Sequence, residues 1–419
     1  MIKLGLGRIS LLAYLDGQHL WKTVHVAGTN GKGSICAYIS RLLRLDGSRK
    51  VGEFTSPALI DAWDGIKLQG KPVSEQAFSD ACKTVLLVDA CKNIQATEFE
   101  RMTAAAIEIF QREHVDYAVV EAGLGGATDA TNVLENKAVT VISKIGLDHQ
   151  ELLGGTVGEI ARNKAGIMRK GVPCVVDSSN PPEVMKVLRR HAREVGTEIT
   201  VASVPPGLET RLLRRGLPPH KIQNMACAIY AYYHLLQGQQ PPSPQPTSPL
   251  LLLRSIQHMT VPGRLQKIDL GGLTAHRAKA EALLDGAHNA QSAEALAAYV
   301  DKHLRGPEGR GGVTWVLAMS AGKDHDAIIK TILRPQDNVA ATEFDKLPDM
   351  PWVKPEKAGR NPALAHRPGF GGSRWVLPDP MDAVRAALSR KEPIVIAGSL
   401  YLVRHVLREL RRLRQHEVG

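Results

Sequence analysis

Aromatic residues make up only 5% of this 419-residue chain. So few rings leave no platform on which unpaired bases could stack, which argues against a single-strand nucleic-acid binder. Cysteine is scarce as well: five residues, Cys36, Cys82, Cys91, Cys174 and Cys227, odd in number and without a C-x-x-C pair. That excludes a disulfide framework and a zinc site of the usual spacing, and suits reduced thiols in a cytoplasm-like compartment. No apolar run is long enough to cross a bilayer, so no membrane partner is expected. Acidic residues are fewer than basic ones, 42 against 53, giving a net charge of +11. The basic residues are dispersed apart from Arg404 to Arg414, which reads as an amphipathic helix with a solvated face. The reading is therefore no nucleic-acid partner and a pocket for small anions. The start, Met1 to Leu15, is acid-poor and carries Lys3 and Arg8. It reads as a first helix, and the expected location is cytoplasmic; a mitochondrial leader is the alternative.

Against these absences stands one dense motif. Thr23 to Val26 is β-branched and apolar, and Ala-Gly-Thr-Asn-Gly-Lys-Gly-Ser34 follows, leading into the apolar-periodic Ile35-Cys-Ala-Tyr-Ile39. The order is strand, Gly-rich turn, helix. Such a turn directs backbone N–H groups at an anion, the helix dipole adds to the field, and Lys32 adds a full charge. The Ser34 hydroxyl follows at the place that holds Mg²⁺ in phosphate loops. The common pattern G-x-x-x-x-G-K-[ST] is not met, since Val26 stands at its first position and Gly33 separates Lys32 from Ser34. Taken alone, a Gly/Lys turn is also an ordinary strand-to-helix connection.

The rest of the chain alternates. Val24–Ala27, Tyr117–Glu121, Val139–Ile145 and Pro173–Val176 read as buried strands, and Phe99, Met102, Ala106 and Phe110 line one face of a helix. This is the pattern of a parallel sheet with helices on both sides. A Pro-rich stretch from Gln237 to Pro249 reads as an exposed loop, and 347–373, rich in Pro and Gly, as irregular. After a hinge at 261–267 a second alternation begins: Leu283–Leu284, a helix from Ala290, Val313–Ala318, a helix from His325, and Pro393–Ala397. The expected domains are 1–260 and a smaller α/β domain, 268–419. At this length each can bury a core of its own.

Two strand ends carry chemistry. Glu121 closes an apolar strand just before Ala-Gly-Leu-Gly-Gly126, and a carboxylate there can hold Mg²⁺ directly or through water. His149 follows the next strand in Gly-Leu-Asp-His149; a lone His is often structural, but this one shares the sheet edge with Glu121. Ser56, in Phe-Thr-Ser-Pro57, offers a free hydroxyl on a stiff turn. Ser34, Ser56, Glu121 and His149 together make a plausible pair of metal sites.

The string G-T-N-G-K-G-S resembles the loop of the Mur ligase superfamily, and within it the folylpolyglutamate synthase and dihydrofolate synthase family. The resemblance runs from Leu4 to Val403. It implies a parallel-sheet P-loop domain followed by a Rossmann-like C-terminal domain that carries glutamate-ligase function. It also implies ATP and Mg²⁺, two ions in number, with Thr29, Asn30, Gly31, Lys32, Gly33, Ser34, Asn224, Arg264, Asp285 and His288 at the nucleotide. Lys164, in Asn-Lys-Ala-Gly-Ile167, resembles the family lysine that is carbamylated and ligates the second ion, although Asn163 replaces the usual Glu. An unmodified helix lysine is the alternative. Thr97, Glu98, Phe99 and Glu100, with Thr128, Asp129 and Ala130 of the D-A-T-N segment, correspond to pterin contacts in relatives. Lys32, Lys164 and His149 are the implied catalytic residues. The chain departs from the family pattern at Ala58, at Ala127 and at Asp61-Ala-Trp-Asp-Gly-Ile66, a loop thought to cover the pterin. Asn30 and the Trp63 loop resemble the fungal dihydrofolate-forming members. The implied reaction joins L-glutamate to dihydropteroate through an acyl phosphate, in a monomer. A polyglutamate-forming or bifunctional relative is the alternative, and an NTPase acting on nucleic acid the distant one.

Overall fold

The computed structural model describes residues 4–13, 19–45, 47–237, 248–273, 280–306, 311–345, 353–361 and 371–418. Most of the Pro-rich stretch and most of 347–373 lie outside the described residues. The chain divides into two compact units, Met1–Met259 and Thr260–Gly419.

Eight strands build the sheet of the first unit: β1 (Lys22–Ala27), β2 (Val51–Phe54), β3 (Ile66–Leu68), β4 (Lys71–Pro72), β5 (Tyr117–Glu121), β6 (Lys137–Ile142), β7 (Cys174–Asp177) and β8 (Ile199–Ala202). Their spatial order is β4-β3-β2-β5-β1-β6-β7-β8. All neighbours run parallel except the β3–β4 hairpin, which is antiparallel to β2 and within itself. Val24, Val26, Val119, Val141 and Val175 are fully buried, as strands covered on both faces require. The helices Lys32–Leu43 and Pro219–Gln237 pack on each other and cover β2 and β5 to β7 on one face. On the other, Glu98–Arg112 joins Ala118 and Val120 of β5 in one apolar cluster. The helices Val157–Ala165 and Pro182–Val195 join Cys174 and Val176 of β7 in another.

Because β1 lies between β5 and β6, the three strands deliver their C-terminal ends side by side. Glu121 stands opposite Val26 in register. Ala122 N donates to Val26 O and Ser143 N to Ala27 O, each at 2.9 Å. Connections leaving those ends converge where β1 opens into its Gly-rich turn, the usual place for a ligand in such sheets.

The second unit has six strands: β9 (Gln266–Asp269), β10 (Glu281–Leu284), β11 (Thr314–Leu317), β12 (Asn338–Ala341), β13 (Arg374–Val376) and β14 (Ile394–Ala397). The order is β13-β12-β11-β14-β10-β9, parallel except for β9 against β10. The sequence pattern anticipates β10, β11 and β14 and the helices Ala290–His303, His325–Ile332 and Leu400–Val418; it does not anticipate β12 or the short edges β9 and β13. Asp337 binds this core together. Its carboxylate accepts from both terminal nitrogens of Arg305 at 2.5 and 2.7 Å, from Trp315 Nε1 at 3.0 Å and from the amides of Val313 and Arg334. A buried carboxylate so fully partnered fixes one geometry.

Candidate nucleotide and metal site

Gly28 and Gly31 of the turn have φ of 149° and 95°, a region open to glycine. The helix then starts at Lys32, and its first amides face the turn. Not every amide of the motif is available to an anion. Thr29 N and Asn30 N both donate to Lys144 O, at 2.9 and 3.1 Å. The Thr29 hydroxyl donates to Gly146 O at 3.0 Å and accepts from Gly146 N at 3.1 Å. These two residues therefore lock the loop to the segment after β6. Asn224, buried on the helix Pro219–Gln237, sits so close to Gly31 that no Cβ would fit there.

Glu121 and Lys32 meet beside the helix start. Lys32 Nζ lies 3.7 Å from Glu121 Oε1 and donates to Thr29 O at 3.3 Å. Glu121 Oε2 accepts from Ser56 N at 3.3 Å, which brings the Thr-Ser-Pro turn to the same carboxylate. A Cβ on residue 33 would lie 3.2 Å from Oε2, so Gly33 keeps the approach to Glu121 open. The Ser34 side chain is buried one position further on.

Lys164 reaches this loop from a different element. It is 5% exposed, and its Nζ donates to Gly28 O at 2.8 Å. Burial, helped by the nearby Lys32 charge and opposed by Asp148 and Asp129, pushes its pKa down to about 7. A good fraction of the amine is thus neutral and nucleophilic near neutrality. His149 is less enclosed: its side chain is 43% exposed, its backbone is left-handed at φ 52°, and Nε2 lies 3.9 Å from Asp148 Oδ1. Asp148, which the sequence reading passed over, has its side chain 9% exposed and acts electrostatically on Lys164. Its signal was available, since it precedes His149 at the same strand-end turn. Ser143 is the other residue missed. Its hydroxyl is buried against Gly28 without a hydrogen-bond partner.

Among the described residues, no three His, Cys, Asp or Glu side chains converge. The oxygen donors at the loop are instead one carboxylate and hydroxyls. That set fits Mg²⁺, which takes one or two carboxylates and fills its shell with phosphate oxygens and water.

The residues matched to pterin contacts divide. Thr97 caps the helix Glu98–Arg112, and Glu100 closes the capping box from the third position. Glu100 also pairs with Arg8 Nε at 2.9 Å and is buried. Asp129 is buried too, and accepts from Leu124 N at 2.7 Å and from the amide and hydroxyl of Thr131. Both carboxylates are turned inward and help shape these loops, although Glu100 Oε1 is buried without a hydrogen-bond partner. Ala130 is buried beside them, and Thr128 O accepts from Gly5 N at 3.1 Å. Phe99 stacks on Phe54 with centroids 6.2 Å apart and packs on Gly123, while Glu98 stays open to solvent.

In the second unit, Asp285 accepts from Leu265 N and Ala287 N, both at 2.8 Å. Burial pushes its pKa up, and the Arg264 charge and these amides pull it down. The Arg264 guanidinium packs on Gly286 and donates to Gly263 O at 3.1 Å. His288 Nδ1 is 2.8 Å from Gly286 O, and Asn289 caps the helix Ala290–His303. Arg264, Asp285 and His288 thus form one cluster at the end of β10.

A sequence profile described as the dihydrofolate synthetase C-terminal domain matches residues 266–409. The chain is 34% identical to a probable dihydrofolate synthetase of Schizosaccharomyces pombe, over 98% of this chain and 99% of that one. It is 31% identical to the dihydrofolate synthetase of Saccharomyces cerevisiae, over 97% and 98%. A Bacillus subtilis dihydrofolate synthase/folylpolyglutamate synthase is 30% identical over 98% and 96%. Among solved structures, E. coli FolC in complex with DHPP and ADP aligns with a TM-score of 0.79 at 25% identity, covering 99% of this chain and 94% of that one. A bifunctional folylpolyglutamate synthase/dihydrofolate synthase with Mn, AMPPNP and L-glutamate bound aligns with a TM-score of 0.76 at 26% identity, over 98% and 95%.

Proposed function

The chain belongs to the folylpolyglutamate synthase/dihydrofolate synthase family, and we propose that it is the ATP-dependent ligase that joins L-glutamate to dihydropteroate. The full-length relation to two fungal dihydrofolate synthetases, 34% and 31% identical, carries this reading. ATP, a divalent cation, glutamate and a folate-type acid are its ligands. The unit up to residue 260 takes ATP and the pterin, 261–267 is the hinge, and the unit from 268 completes the ligase. The chain acts as a monomer in the cytoplasm.

In this mechanism the free amides at the start of the helix Lys32–Leu43 hold the phosphates, and Lys32 neutralises charge on the phosphoryl group as it moves. The benzoate carboxylate of dihydropteroate attacks the γ-phosphorus, ADP leaves, and an acyl phosphate forms. The glutamate amine then adds to the acyl carbon. Phosphate departs with the bonding pair, and the amine proton goes to solvent. Ser34, Ser56, Glu121, His149 and Lys164 would hold two Mg²⁺ ions, whose chemistry there would be charge neutralisation at the phosphates. Lys164 serves as a carbamate: its neutral amine adds to the carbon of CO₂, one C=O pair moves onto oxygen, and a proton leaves the nitrogen. Arg264, Asp285 and His288 bind the nucleoside, and Asn224 supports the loop. Alignment and charge stabilisation provide the rate.

ADP release is the test, measured with glutamate plus either dihydropteroate or tetrahydrofolate. Turnover with dihydropteroate alone is expected. Turnover with tetrahydrofolate alone overturns the assignment. Turnover with both favours the bifunctional reading suggested by the Bacillus subtilis relative.

A further inference from the structure

Asn132 uses the whole hydrogen-bonding capacity of its side chain beside the site. It is buried. Its Nδ2 donates to Ala127 O at 3.0 Å and to Gly166 O at 3.1 Å. Its Oδ1 accepts from Lys137 Nζ at 2.6 Å and from Arg169 Nη2 at 2.9 Å. Both N–H groups and both lone pairs are engaged, the full capacity of a carboxamide. The orientation is forced: rotating the amide by half a turn would set NH₂ against the N–H donors of Lys137 and Arg169 and oxygen against two carbonyls.

The segments held together are informative. Ala127 ends the Gly-rich turn that follows Glu121. Gly166 ends the helix that carries Lys164. Ala127 N donates to Asn163 O at 2.9 Å, and a Cβ on Gly126 would lie 2.7 Å from Lys164 O. The carbonyls that follow the helix end are bound by the same group of side chains. Arg169 Nη1 reaches Gly166 O and Met168 O, each at 3.0 Å, and Lys137 Nζ reaches Ile167 O at 3.0 Å. The Arg169 charge here also complements the negative end of the helix dipole.

We propose that Asn132 is a positioning residue: its carboxamide ties the turn after Glu121 to the end of the Lys164 helix and so keeps Lys164 Nζ on Gly28 O of the phosphate loop. The inference rests on the assignment of Lys164 to the metal site. Groups that orient a ligand are themselves held by hydrogen bonds, and their removal typically weakens the ligand's function by about 10- to 100-fold. Asn132→Asp isolates the effect. It keeps the shape and the acceptors for Lys137 and Arg169, but turns a carboxylate oxygen toward two carbonyls.

The experiment equilibrates the full chain with ¹³C-bicarbonate and Mg²⁺ and reads the carbamate carbonyl signal by NMR. Lys164→Met identifies the signal and separates it from any on Lys137. In N132D the bicarbonate needed for half-maximal signal should rise about tenfold, within the range for such supporting groups. Val85→Ala, in the core beneath the helix Glu75–Cys91, lowers stability away from the site and should leave the signal intact. Should N132D fail to fold, Arg169→Met carries the same expectation at smaller size. An unchanged bicarbonate requirement in N132D or R169M, whatever their stability, overturns the inference. Absence of a Lys164-dependent signal in the parent chain overturns the Lys164 assignment and this inference with it. Dihydropteroate-dependent ADP release would be unaffected by that result.

Discussion

Lys164→Met makes a pH-dependent stability prediction whose size follows from the burial of one amine. In the folded chain the Lys164 ammonium loses its proton at about 7, whereas an exposed lysine keeps it to about 10.5. Between those values the unfolded chain binds more protons, so stability rises with pH through that window. Below pH 7 the ammonium is buried at full cost. Linkage between the two values gives a cost of about 5 kcal/mol at pH 6 and about 2 kcal/mol at pH 9. The parent should therefore gain about 3 kcal/mol relative to K164M between these pH values. Losing the bond to Gly28 O lowers K164M by about 1–2 kcal/mol at every pH and drops out of the comparison. Urea unfolding of both proteins at pH 6, 7.5 and 9, without Mg²⁺ or nucleotide and in CO₂-free buffer, measures the difference. A stability gap between parent and variant that does not change across this range would refute the buried-amine argument. So would a gap that moves in K164M's favour as pH rises.

Three further outcomes are expected. Glu121→Gln keeps the fold but removes the charge facing Lys32, and glutamate-dependent ADP release should fall by about 100-fold or more; near-parental turnover would remove Glu121 from the site. Thr29→Val breaks the reciprocal bonds with Gly146 and should cost about 1–2 kcal/mol in urea unfolding, with a raised KM for ATP. Gly126→Ala forces a methyl group against Lys164 O and Asn163 O, and should destabilise by about 1–3 kcal/mol while lowering turnover; unfolding and ADP-release assays on the same preparation measure both effects.

What could be read in the sequence follows the physics of each segment. Tyr117–Glu121 is a continuous apolar run ending in a charge, and β5 has those limits. The neighbourhood of Glu121 and Lys32 was legible because adjacent parallel strands end together. The strand expected at Val139–Ile145 stops at Ile142 instead. Lys144 turns its carbonyl to Thr29 and Asn30, a tertiary demand that no local pattern carries. The β3–β4 hairpin and the edge strands β9 and β13 have two to four residues per strand, too short for periodicity to register. Glu100 and Asp129 read as pterin contacts from the resemblance alone. Their burial comes with capping and turn bonds, and with Arg8 pairing Glu100, which no local pattern announces. Asn132 was visible only as one letter of a motif, because its four partners come from four separate positions along the chain.

The short rims of the two sheets have a consequence for how the chain behaves in concentrated solution. β4 offers only Lys71 and Pro72, and Pro72 has no N–H with which to recruit a foreign strand. β13 stops after Arg374-Trp-Val376, and β9 presents Lys267 and Asp269 outward. In a protein made of two largely parallel sheets, slow to assemble and sticky while doing so, three of the four margins are thus guarded against cross-β growth, and only β8 (Ile199–Ala202) carries neither charge nor proline. Replacing Lys71 and Pro72 by valines would remove that guard, and visible precipitation during refolding would be the first sign.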